Sequence, residues 1–334
     1  MPGKELQLTE YSCLFIGDRD RDGNRALSEK QFESIEDFVL KNDASGYLKL
    51  GYKKGLGKVL QAQNFVGVIQ TKEGLTIEIL PKIANLDNDF EAKKILLEML
   101  RTLKDSPFRH IDRANLKTAK LPLLELFISM FLEELAVLVR RGIKNDYIGR
   151  EGNLGFLKGK LRMGTHIRRN YIHKERFYVE YDEYLPDRME NRLVKTTLDC
   201  LYKKSRSTAN QQRIREFQFV FDEVPPVHDI PGAFSKICLN RQMQEYEQVL
   251  RWCRTFLLGN SFSPYKGNDI AFALLFDMNL LFESYVGHWF KKQGLNVKLQ
   301  DTTHYLAYLD GRGKFRLKPD IVIDGGRVIA DTAQ

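Results

Sequence analysis

An α+β fold is predicted for this chain, and three observations predict it. Strand-like segments crowd the N-terminal end, amphipathic helical patterns dominate the middle, and the last part reads as a helix followed by antiparallel strands. With 334 residues, 43% of them hydrophobic, the chain can bury a substantial core and is expected to divide into two or three domains. The divisions expected are a small α/β unit over 1–85, a mainly helical middle over 86–265 with a basic β-rich insertion at 147–181, and an α+β unit over 266–334.

The elements follow in order. A strand is predicted around Leu8–Ile16, then a helix from Ser28 to Lys41, begun by Ser28 and Gln31 as a capping box. Strands are expected near Tyr47–Tyr52, Phe65–Gln70 and Leu75–Leu80, the last two joined through Lys72-Glu73-Gly74. Residues 89–104 and 121–141 are amphipathic helices; Leu124, Phe127, Ile128, Phe131, Leu135 and Leu138 give the second a wide apolar stripe, most simply core packing. Glycines at 149, 152, 155, 159 and 164 break the basic insertion into short turns and strands. Helices recur near 186–204, 207–217 and 234–258, and the turn cluster 259–264 sets off the final unit. That unit is predicted as a helix over 270–292, strands near 297–300 and 305–309, a charged turn over 310–313, and a terminal hairpin.

Composition excludes several classes. No run of about 18 apolar residues occurs and the N-terminus lacks an apolar signal core, so cytoplasmic residence with no membrane partner is expected. The four cysteines, 13, 200, 238 and 253, show no CxxC spacing and read as buried free thiols rather than zinc ligands or disulfides. The net charge of +8 is concentrated: between Arg140 and Arg176 eleven Lys/Arg face three acids. Aromatic residues interleave these cations, which is the mixture of a phosphate-contacting surface, so Lys158, Lys160, Arg162, Arg168, Arg169 and Lys174 are the candidate DNA-binding residues. A solvated face, or a surface for an acidic protein, has the same composition.

Two motifs are weighed and set aside. Asp18 to Glu29 fits a calcium-binding EF-hand loop at each specified position. A strand precedes it, however, and Arg25 takes the eighth position where an aliphatic residue is usual, so a solvated acid–base loop is the favoured reading over a Ca²⁺ site. Gly51 to Val59 has five residues between its glycines where a phosphate-binding loop has four, and valine follows Lys58, so no nucleotide site is expected in this chain.

The terminal hairpin carries more. Gly325-Gly326 suits a two-residue turn between Ile321-Val-Ile and Val328-Ile-Ala. In that register residues whose numbers sum to 651 pair, which sets Asp320 opposite Asp331. Opposed like charges about 5 Å apart are unfavourable without a cation between them. On the preceding helix Glu283 sits among apolar residues, either on a solvated face or turned toward the same site as a third oxygen ligand for Mg²⁺ or Mn²⁺.

The helix with Glu283, the strands, Pro319-Asp320, the hairpin and Asp331-Thr332-x resemble the PD-(D/E)xK nuclease core, in which x is lysine. The wider chain is similar to the McrC family, the nuclease subunit of McrBC-type modification-dependent restriction systems. Thr76–Ile83, Leu157–Leu161, Phe177–Glu183, Glu190–Lys195 and Leu281–Val286, in that order, carry the resemblance. It implies Asp320 and Asp331 as metal ligands, Glu283 as an auxiliary acid, and hydrolysis of DNA with a hexameric GTP-driven AAA+ partner that recognises methylated cytosine. It also implies that the N-terminal unit docks onto the partner ring and stimulates its GTPase. One departure follows: Ala333 occupies the lysine position and the sequence ends at Gln334, so the core is expected to be incomplete and this polypeptide is expected not to cut DNA. Lys318, opposite Ala333 in the register and on the face of Asp320, is the candidate replacement catalytic lysine. The alternative is a non-catalytic adaptor that activates a ring NTPase and bridges it to DNA.

Overall fold

The computed structural model describes residues 5–21, 23–41, 43–71, 74–83, 88–104, 106–110, 121–238, 241–258, 272–303, 305–309 and 312–331. Residues 72–73 of the turn expected at 72–74, the cluster 259–264, and residues 310–311 of the turn expected at 310–313 lie outside these residues, as do Asp22 and Ala333. The fold is mixed α/β and divides into two compact units, one of residues 1–130 and 258–334, the other of residues 131–257.

In the first unit the expected strand at Leu8–Ile16 is two strands, β1 (Glu5–Thr9) and β2 (Cys13–Ile16), because Tyr11 takes a left-handed φ of 63° and turns the chain between them. After β3 (Arg25–Leu27), helix α1 (Glu29–Lys41) begins at the expected capping box, with the Ser28 amide and hydroxyl donating to Gln31 Oε1 at 3.3 and 3.2 Å. β4 (Leu48–Lys53) pairs antiparallel with β5 (Gly57–Ala62), so the glycine-rich stretch weighed as a phosphate loop is a hairpin. These strands form a sheet of order β3-β2-β5-β4. β6 (Phe65–Gln70) and β7 (Thr76–Leu80) belong to a second sheet. Its order, β1-β7-β6-β11, includes β11 (Phe272–Asp277), from some two hundred residues further along the chain.

β11 corrects the helix expected over 270–292. A run of Phe272-Ala-Leu-Leu-Phe276 fits a buried strand as well as a buried helix, and here each of those five residues is buried in the sheet. The helix starts only at Met278, where the Asp277 carboxylate accepts from the Asn279 amide at 2.9 Å. Gly67, opposite Leu275 on β11, has a φ of 139°; a Cβ there would stand 2.1 Å from the Leu274 carbonyl oxygen, so only glycine allows this pairing. Leu14, Phe32, Ile35, Leu60, Ile77 and Leu275 meet in one core that joins both sheets to α1.

A buried ion pair ties the edge of this core. Lys93, on α2 (Asp89–Thr102), places its Nζ 2.6 Å from Glu78 Oε2, with the two side chains 5% and 1% exposed. Glu78 also accepts from Gln7 Nε2 and from the Leu123 amide at the start of the helix Leu123–Arg141. The C-terminal strands complete the unit: β12 (Val297–Leu299), β13 (Tyr305–Leu309), β14 (Arg312–Arg316), β15 (Ile321–Ile323) and β16 (Val328–Ala330), in sheets β12-β15-β16 and β13-β14. β14 was not anticipated, since its alternation of Lys/Arg with Gly and Phe carries no apolar face.

The second unit is helical with one long hairpin. β8 (Asp146–Leu154) pairs with β10 (Phe177–Leu185) over nine residues, and β9 (Lys160–Leu161) lies on the other side of β10. The helices Met189–Lys204 and Gln244–Leu258 bury Leu193, Leu198, Trp252, Cys253 and Phe256. Fully buried Asn191 fixes the base of the hairpin: its Nδ2 donates to the carbonyls of Lys144 and Pro186 at 2.9 and 2.7 Å, and its Oδ1 accepts from Tyr246 Oη at 2.8 Å. Among the described residues no helix is long and apolar enough to cross a membrane.

Candidate functional site

The terminal hairpin folds in the expected register. Ile321 pairs with Ala330, Val322 with Ile329 and Ile323 with Val328, so numbers sum to 651 and the next pair outward is Asp320 with Asp331. The turn is wider than two residues: Asp324 to Gly326 all have positive φ and the strands close at Ile323 and Val328. An even number of residues was added, so the facing of every side chain is preserved.

On the other side β15 pairs with β12, and the row of Asp320 continues to Gln300, whose amide donates to the Asp320 carbonyl at 2.9 Å. Gln300 breaks the strand alternation with a φ of 49°. Its Nε2 thereby donates to Glu283 Oε2 at 2.9 Å. Beneath this row, Val286 and Phe290 of the helix Met278–Lys292 pack on Val297, Leu299, Ile321, Ile323 and Ala330. Gly287 lets the helix approach, since a Cβ there would lie 2.6 Å from Leu299 Cδ2.

Glu283 is therefore buried, at 5% exposure, rather than on a solvated face. Burial pushes its carboxyl above the usual carboxylate range; the Gln300 amide opposes this, the nearby Asp320 charge adds to it, and the Lys318 charge opposes it. Glu283, Gln300, Asp320 and exposed Lys318 thus form one electrostatic group, with Asp331 entering through the register. The donor chemistry fits a hard divalent cation, because it is all oxygen and it sets a buried acid beside a second carboxylate. Among the described residues no three His, Cys, Asp or Glu side chains stand close enough to enclose a metal. Ala333, the lysine position, lies outside the described residues.

Two of the calcium-loop residues, Asp20 and Asn24, are engaged elsewhere. Asp20 accepts from the Ala26 amide at 2.8 Å and pairs with Arg25 at 2.9 Å, while Asn24 Oδ1 accepts from the Cys13 amide at 2.9 Å. These bonds close the turn between β2 and β3.

The basic segment is less cationic in the fold than in sequence, because β10 brings acids that lie just beyond the cluster. Over the whole hairpin, 146–185, eight Lys/Arg face six Asp/Glu. Lys158 pairs with Glu183 at 2.8 Å and covers the Tyr181 ring at 4.2 Å; Arg162 reaches Glu151 at 3.2 Å and Glu180 at 3.6 Å. Hydrogen bonding from Lys158 holds the Glu183 carboxyl below its usual range. Arg169 lies over the Tyr178 ring at 5.2 Å, and Lys160, Arg168 and Lys174 form no ion pair among the described residues. Glu78, Lys93 and Asn191 were not picked out from the sequence. Glu78 and Asn191 fall inside stretches that carry the family resemblance, and in the fold both are structural ties.

A family model described as McrBC 5-methylcytosine restriction system component matches residues 60–333. The refined half-complex from a tetradecameric assembly of Thermococcus gammatolerans McrB AAA+ hexamers with bound McrC is similar in fold, with a TM-score of 0.71 and 19% identity over 98% of this chain and 79% of that one. The cryo-EM structure of the Thermococcus gammatolerans McrBC complex gives 0.61 and 20% identity, over 89% of this chain and 90% of that one. A search of curated proteins returns no match.

Proposed function

Because the chain belongs to the family of McrBC 5-methylcytosine restriction system components, we propose that it is the nuclease subunit of such a system. In this reading it assembles with a GTP-driven AAA+ hexamer of the McrB type, stimulates its GTPase and acts on DNA containing methylated cytosine. The observation that carries the reading is the convergence of Glu283, Gln300 and Asp320 at the head of a hairpin whose register brings Asp331 opposite Asp320. The three carboxylates do not stand close enough to enclose a cation in this structure, so Asp320 and Asp331 would hold a divalent cation with Glu283 drawn in on binding, and the ion would supply activation of a water and neutralisation of charge developing on the phosphate. Gln300 orients Glu283, and Lys318 supplies positive charge on the same side. Phosphate contacts are assigned to Lys158, Lys160, Arg162, Arg168, Arg169 and Lys174, of which Lys158 and Arg162 must exchange carboxylate partners for phosphate.

Alanine at 333 favours a chain that holds metal and DNA without cutting, and so keeps open the adaptor role. Ala333→Lys tests this in the assembled complex with partner, GTP, Mg²⁺ and methylated DNA. The unaltered chain is expected to leave the DNA intact and Ala333→Lys to cleave it, with Asp320→Asn in that background abolishing cleavage. Robust cutting by the unaltered chain would overturn the inactive reading. No cutting by Ala333→Lys in an assembled, GTP-hydrolysing complex would overturn the nuclease reading in favour of the adaptor.

A further inference from the structure

The helix that carries Glu283 has a second chemical face. At 3.6 residues per turn, Tyr285, His288, Trp289 and Lys292 lie roughly 140–240° around the helix from Glu283. Together with Glu98, Arg101 and Thr102 of α2, and Arg109 of the turn Pro107–His110, they line a pocket of about 420 Å³. The two helices are locked there by Ser284 Oγ, which donates to the Thr102 carbonyl at 2.8 Å. This volume falls within the roughly 300–1,000 Å³ typical of ligand clefts.

The lining is cationic and aromatic. Arg101, Arg109 and Lys292 face a single acid, Glu98, and neither arginine forms an ion pair among the described residues. Trp289 leaves 43% of its surface in water and meets Tyr285 edge-on, with centroids 6.3 Å apart at 74°. Lys292 Nζ lies 4.6 Å from the Trp289 ring centre. The guanidiniums beside the half-exposed indole, which form no ion pair among the described residues, select an anion. Flat rings for a base and cations for its phosphate are the combination that holds an unpaired nucleic-acid strand. An acidic peptide would use the cations and leave the rings idle.

We infer that this pocket seats one nucleotide of an unpaired DNA strand, its base against Trp289 and its phosphate against Arg101, Arg109 and Lys292. The site is distinct from the carboxylate group, being on the opposite face of a helix about 10–12 Å across. It rests on the nuclease reading only in the choice of DNA as the strand.

Fluorescence anisotropy of a fluorescein-labelled single-stranded oligothymidylate titrated with the full chain in EDTA, beside a labelled duplex of equal length, tests this without the metal site and reads every variant; intrinsic fluorescence of the unaltered chain is followed as well. Base stacking should quench Trp289, the tryptophan at the surface, since Trp252 is buried. Trp289→Ala should weaken single-strand binding roughly 5- to 150-fold, the equivalent of about 1–3 kcal/mol per stacked base, while Trp289→Phe retains most of it and guards against misfolding. Arg101→Gln should lower the slope of log affinity against log salt by about 0.7. Unchanged single-strand affinity in Trp289→Ala and Arg101→Gln would overturn the assignment, as would equal losses for single strand and duplex. Because no metal is present, a pocket that binds as expected stands even if Ala333→Lys never cuts.

Discussion

Replacing Lys93 with methionine should be among the most destabilising single changes in this protein. The substitution keeps most of the side-chain stem and removes the charge that sits 2.6 Å from Glu78 Oε2 in a place almost closed to water. At an effective dielectric near 20, two unit charges at that distance attract by roughly 6 kcal/mol before desolvation. Glu78 keeps two N–H donors, from Gln7 and Leu123, so part of the carboxylate remains satisfied. The net cost of stranding a buried charge in this way is about 3–5 kcal/mol, a large part of a typical total stability of roughly 5–15 kcal/mol. Glu78→Gln together with Lys93→Met removes both charges while keeping an acceptor for Leu123, and should recover to within about 2 kcal/mol of the parent. Urea unfolding followed by circular dichroism on both singles and the double would measure the coupling. A loss below about 1 kcal/mol in Lys93→Met would refute the reasoning, because it would mean that water or another cation reaches Glu78.

Other outcomes are expected. Asn191→Ala removes three hydrogen bonds at the base of the hairpin, one buried and two part-buried, and should cost about 3 kcal/mol, read by the same unfolding assay; a near-neutral result would deny Asn191 its tying role. Glu10 is buried with its Oε2 unpartnered among the described residues, and burial raises its carboxyl despite the Lys82 amide and charge. Its folded pKa thus exceeds the unfolded value of about 4.3, so its stabilising contribution is complete below that pH and is lost as pH rises through the folded pKa. Glu10→Gln should therefore melt no lower than the parent at pH 7, with any advantage gone at pH 4; a lower melting temperature at pH 7 would contradict this. Cys253 is buried with its thiol pushed up to about 12, and burial also raises Cys13, so alkylation of the folded chain followed by mass spectrometry should label exposed Cys238 and spare both. Rapid labelling of Cys253 would show that its surroundings open.

What could be read in the sequence follows from what period carries. Phe65–Gln70 and Tyr305–Leu309 stand where short β-forming runs bounded by turn residues set them. The register of the terminal hairpin survived a misjudged turn, because lengthening a loop by an even number of residues leaves facing unchanged. Residues 272–277 were misread because a wholly apolar run has no period to distinguish strand from helix, and the partner strand that decides it is far away in sequence. Glu78 and Asn191 were silent for a related reason: their roles depend on Lys93, Lys144, Pro186 and Tyr246, brought together only by tertiary packing. The charge of 140–176 was overread because acids on β10 fold back onto it. The turning of Gln300 toward Glu283 rests on one left-handed backbone angle that no pattern of residue types announces.

The pairing of β11 with β6 sets a timetable for biosynthesis. β6 leaves the ribosome roughly 10–40 s before its edge partner, at synthesis rates of about 5–20 residues per second. Through that interval Val66-Gly-Val-Ile69 presents an open, apolar sheet edge to its surroundings, the kind of surface that invites chaperones or self-association. The edge of β6 is covered only when the segment leading into the Glu283 helix arrives. A nascent chain stalled before residue 272 should thus be an aggregation-prone intermediate.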